Sequence, residues 1–178
     1  PPPAAESAAP AAPRTPAPTG PPAPASAAIV DDPSQLAAVL AECRRARLVA
    51  LDTETTGLDP MRAELVGLSL AVASGRSWYL PFAHLPPDGP LVGGEPPRNL
   101  PPLASDALAP LRELFDDPGV AKAGHNIKFD WLIQRRAGAQ LAGVTYDSML
   151  EFFVLDPGRR SHALDEVSRE RRGIEMQT

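Results

Sequence analysis

A short apolar run that ends in two carboxylates constrains the fold of this chain more than any other feature. Residues 48–51 read Leu-Val-Ala-Leu, and Asp52, Thr53 and Glu54 follow them. A run of this length is typical of a strand inside a sheet. Because residues i and i+2 of a strand project to the same face, Asp52 and Glu54 should extend together from the strand end. Neighbouring carboxylates repel each other, so the pattern indicates either a solvated turn or a cation site.

The hydrophobic patterns along the rest of the chain indicate an α/β protein, with a mixed sheet flanked by helices. Proline and glycine mark residues 81–102 as a long loop. Strands are predicted at 29–30, 47–53, 64–72, 76–80 and 120–123, with a strand or turn at 144–147. Helices are predicted at 32–45, 104–116, 127–137, 148–155 and 163–171.

The first 28 residues differ in composition from everything that follows. They are almost entirely Pro, Ala, Ser, Thr and Gly, and they include no aliphatic side chain larger than Ala. Such a segment cannot bury enough apolar surface to offset its conformational entropy. We therefore predict a disordered linker over residues 1–28 and a folded domain over residues 29–178.

Charge and hydropathy restrict the function classes. The net charge of −5 argues against a nucleic-acid binder that relies on a basic surface, although carboxylates can engage nucleic acid through metal ions. No apolar run approaches the roughly 18 residues of a membrane span, and no secretory signal is visible. We expect a cytoplasmic protein that does not associate with membranes. The single cysteine, Cys43, lies in a helical pattern and is expected to be an inert packing residue.

A second polar group occurs where helix 127–137 is predicted to start. Asn126 and Asp130 are four residues apart, so on a helix they would share one face. Taken alone, the pair fits helix-terminus chemistry, with Asn126 as the N-cap and Asp130 placed favourably against the helix dipole. The residues by themselves do not separate this interpretation from a functional one.

Together, the two motifs resemble those of the 3′–5′ proofreading exonuclease domain of bacterial DNA polymerase I. The resemblance rests on residues 51–59 (LDTETTGLD), 79–84 (YLPFAH), 124–130 (GHNIKFD) and 146–151 (YDSMLE), and it runs from about residue 29 to residue 172. It implies a ribonuclease H-like fold that is incomplete at the C-terminus. It also implies a monomer whose parent chain carries a 5′-nuclease domain and a polymerase domain.

The resemblance further implies hydrolysis of the 3′-terminal phosphodiester of single-stranded DNA with two divalent ions, Mg²⁺ or Mn²⁺. Three carboxylates would hold the metal ions and act in catalysis: Asp52, Glu54 and Asp130. Four further residues would contact the DNA strand: Thr55, Leu58, Asn126 and Phe129. For Leu58 and Phe129 the alternative is plain core packing. His84 is expected to order its loop.

One motif of the family is missing. In the family, a Tyr precedes a fourth metal-binding Asp by three or four residues on a C-terminal helix, and no such pair follows Arg172. Residues 1–178 are therefore expected to bind metal weakly and to have little or no exonuclease activity. Two other functions stay open: a free-standing ribonuclease D-type exoribonuclease, and a non-catalytic module of a polymerase whose exonuclease site has decayed.

Overall fold

The computed structural model describes residues 26–85 and 98–176, and they are built around a six-stranded mixed sheet. The strands are β1 (Ser26–Ile29), β2 (Leu48–Thr55), β3 (Leu65–Ala73), β4 (Arg76–Pro81), β5 (Ala121–Gly124) and β6 (Val144–Asp147). Their order in the sheet is β1-β4-β3-β2-β5-β6. The β2, β3 and β4 strands form an antiparallel meander, whereas β1, β5 and β6 each pair in parallel with a neighbour. The α/β prediction is confirmed.

Five α-helices accompany the sheet in the described residues: α1 (Leu36–Ala46), α2 (Ala109–Asp116), α3 (Ile127–Arg136), α4 (Ser148–Leu155) and α5 (Leu164–Arg172). Short 3-10 turns precede α1 and α2. Asp32 caps the 3-10 turn before α1 (Pro33–Gln35), and its carboxylate accepts a hydrogen bond from the Ser34 N–H at 2.8 Å. All five predicted helices are present. In the described ranges, 26–85 and 98–176, none has the length and apolarity needed to cross a membrane.

The two faces of the sheet differ, and β2 shows how. Val49, Leu51 and Thr53 are buried on the face where α1 and α3 contact the strand. Asp52 and Glu54 project to the opposite face, which the helices of the core leave open. The two carboxylates therefore share one side of β2, as the strand alternation predicts. Cys43 is fully buried in the core beneath the covered face, which confirms its expected packing role.

The start of the sheet differs from the prediction. β1 begins at Ser26 and pairs in parallel with β4, from Ser26 opposite Arg76 to Ile29 opposite Tyr79. The predicted linker is therefore wrong for its last three residues, 26–28. Pairing at a sheet edge uses backbone groups, so an exposed strand of small side chains gives no hydrophobic pattern to detect. Residues 1–25 of the predicted linker and 86–97 of the long loop lie outside the described residues.

Candidate active site

The seven side chains predicted to form the site line one cavity of about 430 Å³, where β2 ends and α3 begins. They come from β2 and the loop after it, and from α3 and the residue before it: Asp52, Glu54, Thr55, Leu58, Asn126, Phe129 and Asp130. His125 also lines this cavity. The fold thus brings the two sequence motifs to one place, although Thr53 and Asp130 are 77 residues apart in the chain. The roles assigned to the seven residues stay predictions.

A β-bulge shapes the end of β2. Gly67 of β3 lies opposite Glu54, but Leu65 lies opposite Thr55, so Val66 is an extra residue on β3. The Val66 carbonyl instead accepts hydrogen bonds from the N–H groups of the two residues that follow β4, Phe82 and Ala83, at 2.8 and 3.1 Å. Bulges bend a strand and change the direction of nearby side chains, which is why they recur beside functional sites.

Thr53 connects the first motif to the second. Thr53 stands between Asp52 and Glu54 in the sequence, but its side chain projects to the opposite, covered face of the sheet. Its backbone N–H and its Oγ1 both donate to Asp130 Oδ1, at 2.9 and 2.7 Å. Asp130 is only 2% exposed, so these two bonds supply polar partners for a carboxylate that has left water. Both bonds go to Oδ1, so Oδ2 receives neither of them.

The electrostatics of the cavity disfavour negative charge. Burial raises the pKa of Asp130 to about 6, the hydrogen bonds from Thr53 oppose that rise, and the charge of Asp52 adds to it. Desolvation in the cleft also raises the pKa of Asp52. Repulsion from Glu54 raises this pKa further, whereas His125 lowers it. Carboxylates that destabilise one another in this way would be stabilised by a cation between them.

The donor chemistry fits a divalent ion, but only as part of a ligand set. Carboxylate oxygens are the donors that Mg²⁺ and Mn²⁺ prefer. In the part of the chain that the structure describes, however, no three His, Cys, Asp or Glu side chains are arranged to hold a metal ion. The carboxylates of this cavity are therefore close enough to repel each other without forming a closed metal centre.

Asp147 fixes the start of α3, a function that the residue pattern assigns to Asn126. The two oxygens of Asp147 accept hydrogen bonds from the backbone N–H groups of Asn126 and Ile127, at 3.0 and 3.1 Å. Asn126 has a left-handed backbone (φ 59°) and its side chain makes no capping bond. The capping interpretation is therefore wrong for the Asn126 side chain, which lines the cavity instead.

The two apolar candidates differ in burial. Leu58 is 94% exposed at the edge of the cavity, so core packing is excluded as its role. Phe129 is partly buried, packs against the hydrophobic core, and presents part of its ring to the cavity. Leu58 is thus free to contact a ligand, and Phe129 offers a ring that the core holds in place.

His125 and Ser148 form a contact that the sequence patterns do not predict. His125 Nδ1 lies 2.9 Å from Ser148 Oγ, which donates to the Gly124 carbonyl at 3.2 Å. Because the hydroxyl has one hydrogen, His125 Nδ1–H is the donor to Ser148. Its Nε2 is buried and has no hydrogen-bond partner among the described residues. The pair escapes prediction because its members are 23 residues apart, whereas an Asp directly before a helix, such as Asp147, is a recognisable cap signal.

Comparisons with known proteins agree with the geometry. A family model described as 3′–5′ exonuclease matches residues 27–177. The DNA polymerase I of Rhizobium leguminosarum is 41% identical over 138 residues, which is 72% of this chain and 13% of that protein. A solved structure titled "POL domain of Pol1 from M. smegmatis complex with DNA primer-template and dNTP" has a TM-score of 0.64 and 25% identity, over 85% of this chain and 23% of that one.

The fold extends to more distant nucleases. The Trypanosoma brucei RNase D in complex with RNA U12 has a TM-score of 0.60 at 16% identity, over 84% of this chain and 48% of that one. This likeness concerns the fold alone. The family model, in contrast, spans nearly all the described residues, and it agrees with the 41% identity to a DNA polymerase I. This chain belongs to the 3′–5′ exonuclease family of DNA polymerase I.

Proposed function

We propose that this domain removes nucleotides hydrolytically from the 3′ end of single-stranded DNA, as the proofreading exonuclease of a cytoplasmic DNA polymerase I. The observation that carries the proposal is the convergence of the seven predicted side chains on one cavity. Membership of the exonuclease family supports it. Because the chain spans 13% of its Rhizobium relative, we also propose that the parent polypeptide carries polymerase and 5′-nuclease domains.

In this proposal Asp52, Glu54 and Asp130 hold Mg²⁺ or Mn²⁺. Bound ions of this kind lower the pKa of a water molecule and neutralise charge on a phosphodiester. The fold of the protein sets the positions of the three carboxylates. Asp52 and Glu54 extend from one face of a strand whose position is fixed inside the sheet, and Thr53 holds Asp130 against that strand. The raised pKa of Asp130 means that metal binding competes with a proton below about pH 6.

The DNA contacts follow from the shape of the cavity. Leu58 presents an exposed apolar side chain to the terminal base, and the Phe129 ring can stack on a base without reading its identity. Asn126 offers an amide that can both donate and accept along the sugar-phosphate backbone. Thr55 closes the turn after β2 by donating to the Gly57 carbonyl at 2.8 Å, which leaves its oxygen lone pairs for the nucleotide.

The first test measures nucleotide release from a 3′-labelled single strand by the full-length gene product, with Mn²⁺ present. Asp52→Asn and Asp130→Asn each remove one charged ligand and should slow release by about 100-fold or more. Glu113→Gln alters an exposed carboxylate of α2 and serves as the matched control. Release by Asp52→Asn at the wild-type rate would refute the proposal and favour a non-catalytic module. Faster release from RNA than from DNA would favour a ribonuclease D-type enzyme.

We also propose that residues 1–178 alone are weakly active or inactive. The lack of a three-ligand metal group in the described residues supports this. Titration of Mn²⁺ into the 178-residue chain should give an affinity at least about tenfold below that of the full-length gene product. Nucleotide release should fall in parallel. Equal affinity and equal turnover in the two proteins would contradict the proposal.

A further inference from the structure

A tyrosine–histidine pair lies on the open face of the sheet, near the candidate metal ligands. The Tyr79 hydroxyl and His84 Nε2 are 2.6 Å apart, and their rings meet edge to face with centroids 5.6 Å apart. Tyr79 is opposite Ser69, which in turn is opposite Asp52, so the three residues form one row across β4, β3 and β2. Residues directly opposite each other point to the same face, which places Tyr79 on the side of the carboxylates.

Gly67 brings the tyrosine hydroxyl next to Glu54. Gly67 is the residue directly opposite Glu54 on β3. A Cβ atom added to Gly67 would overlap the Tyr79 Oη and Cζ atoms, so the phenol occupies the place of the side chain that Gly67 lacks. Side chains directly opposite on antiparallel strands have Cβ atoms about 5 Å apart. The Tyr79 hydroxyl therefore stands where the nearest cross-strand neighbour of Glu54 would be.

His84 is held by its backbone, which directs its ring. Asn99 Oδ1 accepts from the His84 N–H at 2.9 Å, and Asn99 Nδ2 donates to the His84 carbonyl at 2.9 Å. One residue further on, the Leu100 N–H donates to the Pro81 carbonyl at 2.7 Å. Three hydrogen bonds thus join residues 81–84 to residues 99–100. A histidine clamped in this way can fix the direction of the hydroxyl that it contacts.

We propose that Tyr79 and His84 are positioning residues that hold the Glu54 carboxylate in the orientation needed to bind metal. The inference rests on the proposed exonuclease function. When His84 Nε2–H donates to the Tyr79 oxygen, the phenol proton is available to a carboxylate. Glu54 needs such a partner because it is exposed and lies beside a bulge, where its side chain would otherwise sample several rotamers. Groups that orient metal-binding carboxylates contribute about 10–100-fold in metal affinity.

The test makes two measurements on the 178-residue chain. Electron paramagnetic resonance gives its Mn²⁺ affinity, and nuclear magnetic resonance gives the ¹³Cδ resonance of Glu54 in the absence of metal. Tyr79→Phe removes only the hydroxyl, and should weaken Mn²⁺ binding about tenfold and shift the Glu54 resonance. His84→Ala should do the same, whereas His84→Gln should restore part of the affinity because its amide can still donate. Tyr146→Phe removes the hydroxyl of the other tyrosine of the chain, which is 49% exposed on β6, and should change neither signal.

A second variant keeps the hydroxyl but displaces it. Gly67→Ala places a methyl group where the phenol lies, so the Tyr79 ring must move away from Glu54. It should weaken Mn²⁺ binding as Tyr79→Phe does. If both variants bind Mn²⁺ like the wild type and the Glu54 resonance does not move, the positioning role is refuted.

Glu54→Gln separates this inference from the proposed function. If Glu54→Gln abolishes nucleotide release by the full-length gene product while Tyr79→Phe and Gly67→Ala change nothing, the exonuclease proposal stands and the positioning role fails. If Glu54→Gln releases nucleotides at the wild-type rate, the assignment of Glu54 fails, and the positioning role fails with it.

Discussion

The carboxyl group of Asp130 couples the candidate site to the stability of the domain. Its pKa in the folded chain is about 6, because burial outweighs the two hydrogen bonds from Thr53. In an unfolded chain an aspartate titrates near about 3.9. Between these values the folded state holds a proton that the unfolded state has lost, so the free energy of unfolding falls as the pH rises. The site is thus stable when protonated and strained when charged and without metal.

The raised pKa of Asp130 predicts that this one residue makes the free energy of unfolding depend on pH. In the presence of EDTA, the free energy of unfolding of the wild-type chain should fall between pH 4 and pH 7 by about 2 kcal/mol relative to Asp130→Asn. The asparagine keeps an oxygen for Thr53 but cannot ionise. Urea unfolding at four pH values, on both proteins, measures the difference. Parallel pH profiles for the two proteins would show that Asp130 does not titrate in this range.

At the scale of elements, Asp147 joins two helices. Besides its bonds to the start of α3, its Oδ1 accepts from the Met149 and Leu150 N–H groups at the start of α4, at 3.0 and 3.3 Å. Four backbone donors thus depend on one carboxylate. The start of α3 also carries the residues that line the cavity, so the cap contributes to the site as well as to the helices.

We expect Asp147→Ala to lower the free energy of unfolding by about 2–4 kcal/mol, because each lost cap or buried hydrogen bond contributes roughly 1 kcal/mol. Asp59→Ala is a matched control, since the Asp59 side chain accepts one backbone hydrogen bond, from the Met61 N–H, in the exposed loop after β2. It should lower the free energy of unfolding by less than about 1 kcal/mol. Thermal unfolding followed by circular dichroism compares the two. An equal loss in both variants would rule out the double cap.

The sequence predicts helices and strands well where their hydrophobic residues recur with a regular period. It predicts them poorly where they depend on contacts between residues far apart in the chain. Strand alternation correctly places Asp52 and Glu54 on one face of β2. The helical spacing of Asn126 and Asp130 does not apply, because Asn126 precedes α3 with a left-handed backbone. β1 escapes prediction because its residues 26–28 are small and have no hydrophobic period.

The site shows the same limit. The alternation of β2 indicates that Thr53 points inward, but no pattern indicates that Asp130 lies opposite it. The Tyr79–His84 pair lies in a stretch that the resemblance to the family includes, yet its position beside Glu54 depends on Gly67 and on the pairing of β3 with both neighbours. Such contacts are properties of strand register, which a single sequence does not reveal.

At the scale of the whole molecule, a large apolar surface is open. A cleft of about 760 Å³ extends over the open face of the sheet toward Glu151 of α4 and Leu164 of α5. No residue of α4 is buried, and the exposed fractions of Leu150, Phe153, Val154 and Leu155 are 61, 52, 77 and 72%. Four large apolar side chains are thus exposed on one helix of eight residues, which is unusual for a monomeric protein.

The 178-residue chain should therefore bind a hydrophobic dye such as ANS in its folded state. Replacing Val154 and Leu155 together by Glu and Lys should reduce the dye fluorescence by about half or more, with a change in unfolding free energy below about 0.5 kcal/mol because neither side chain is buried. Met61→Lys, at a residue that is 65% exposed in the loop after β2, is the control and should leave the fluorescence unchanged. Unaltered dye binding in the double variant would exclude α4 as the binding surface.

The β2 strand pairs with β3, which is near it in the chain, and with β5, which is far from it. This difference sets the order in which the molecule can assemble. The pairing of β2 with β3 joins segments close in the chain, whereas the contact between Thr53 and Asp130 closes 77 residues. Long closures cost more chain entropy, so they form late and slowly. During synthesis the first two carboxylates leave the ribosome well before α3 does. A nascent chain therefore carries Asp52 and Glu54 before Asp130, and the candidate site is complete only when α3 has folded against β2.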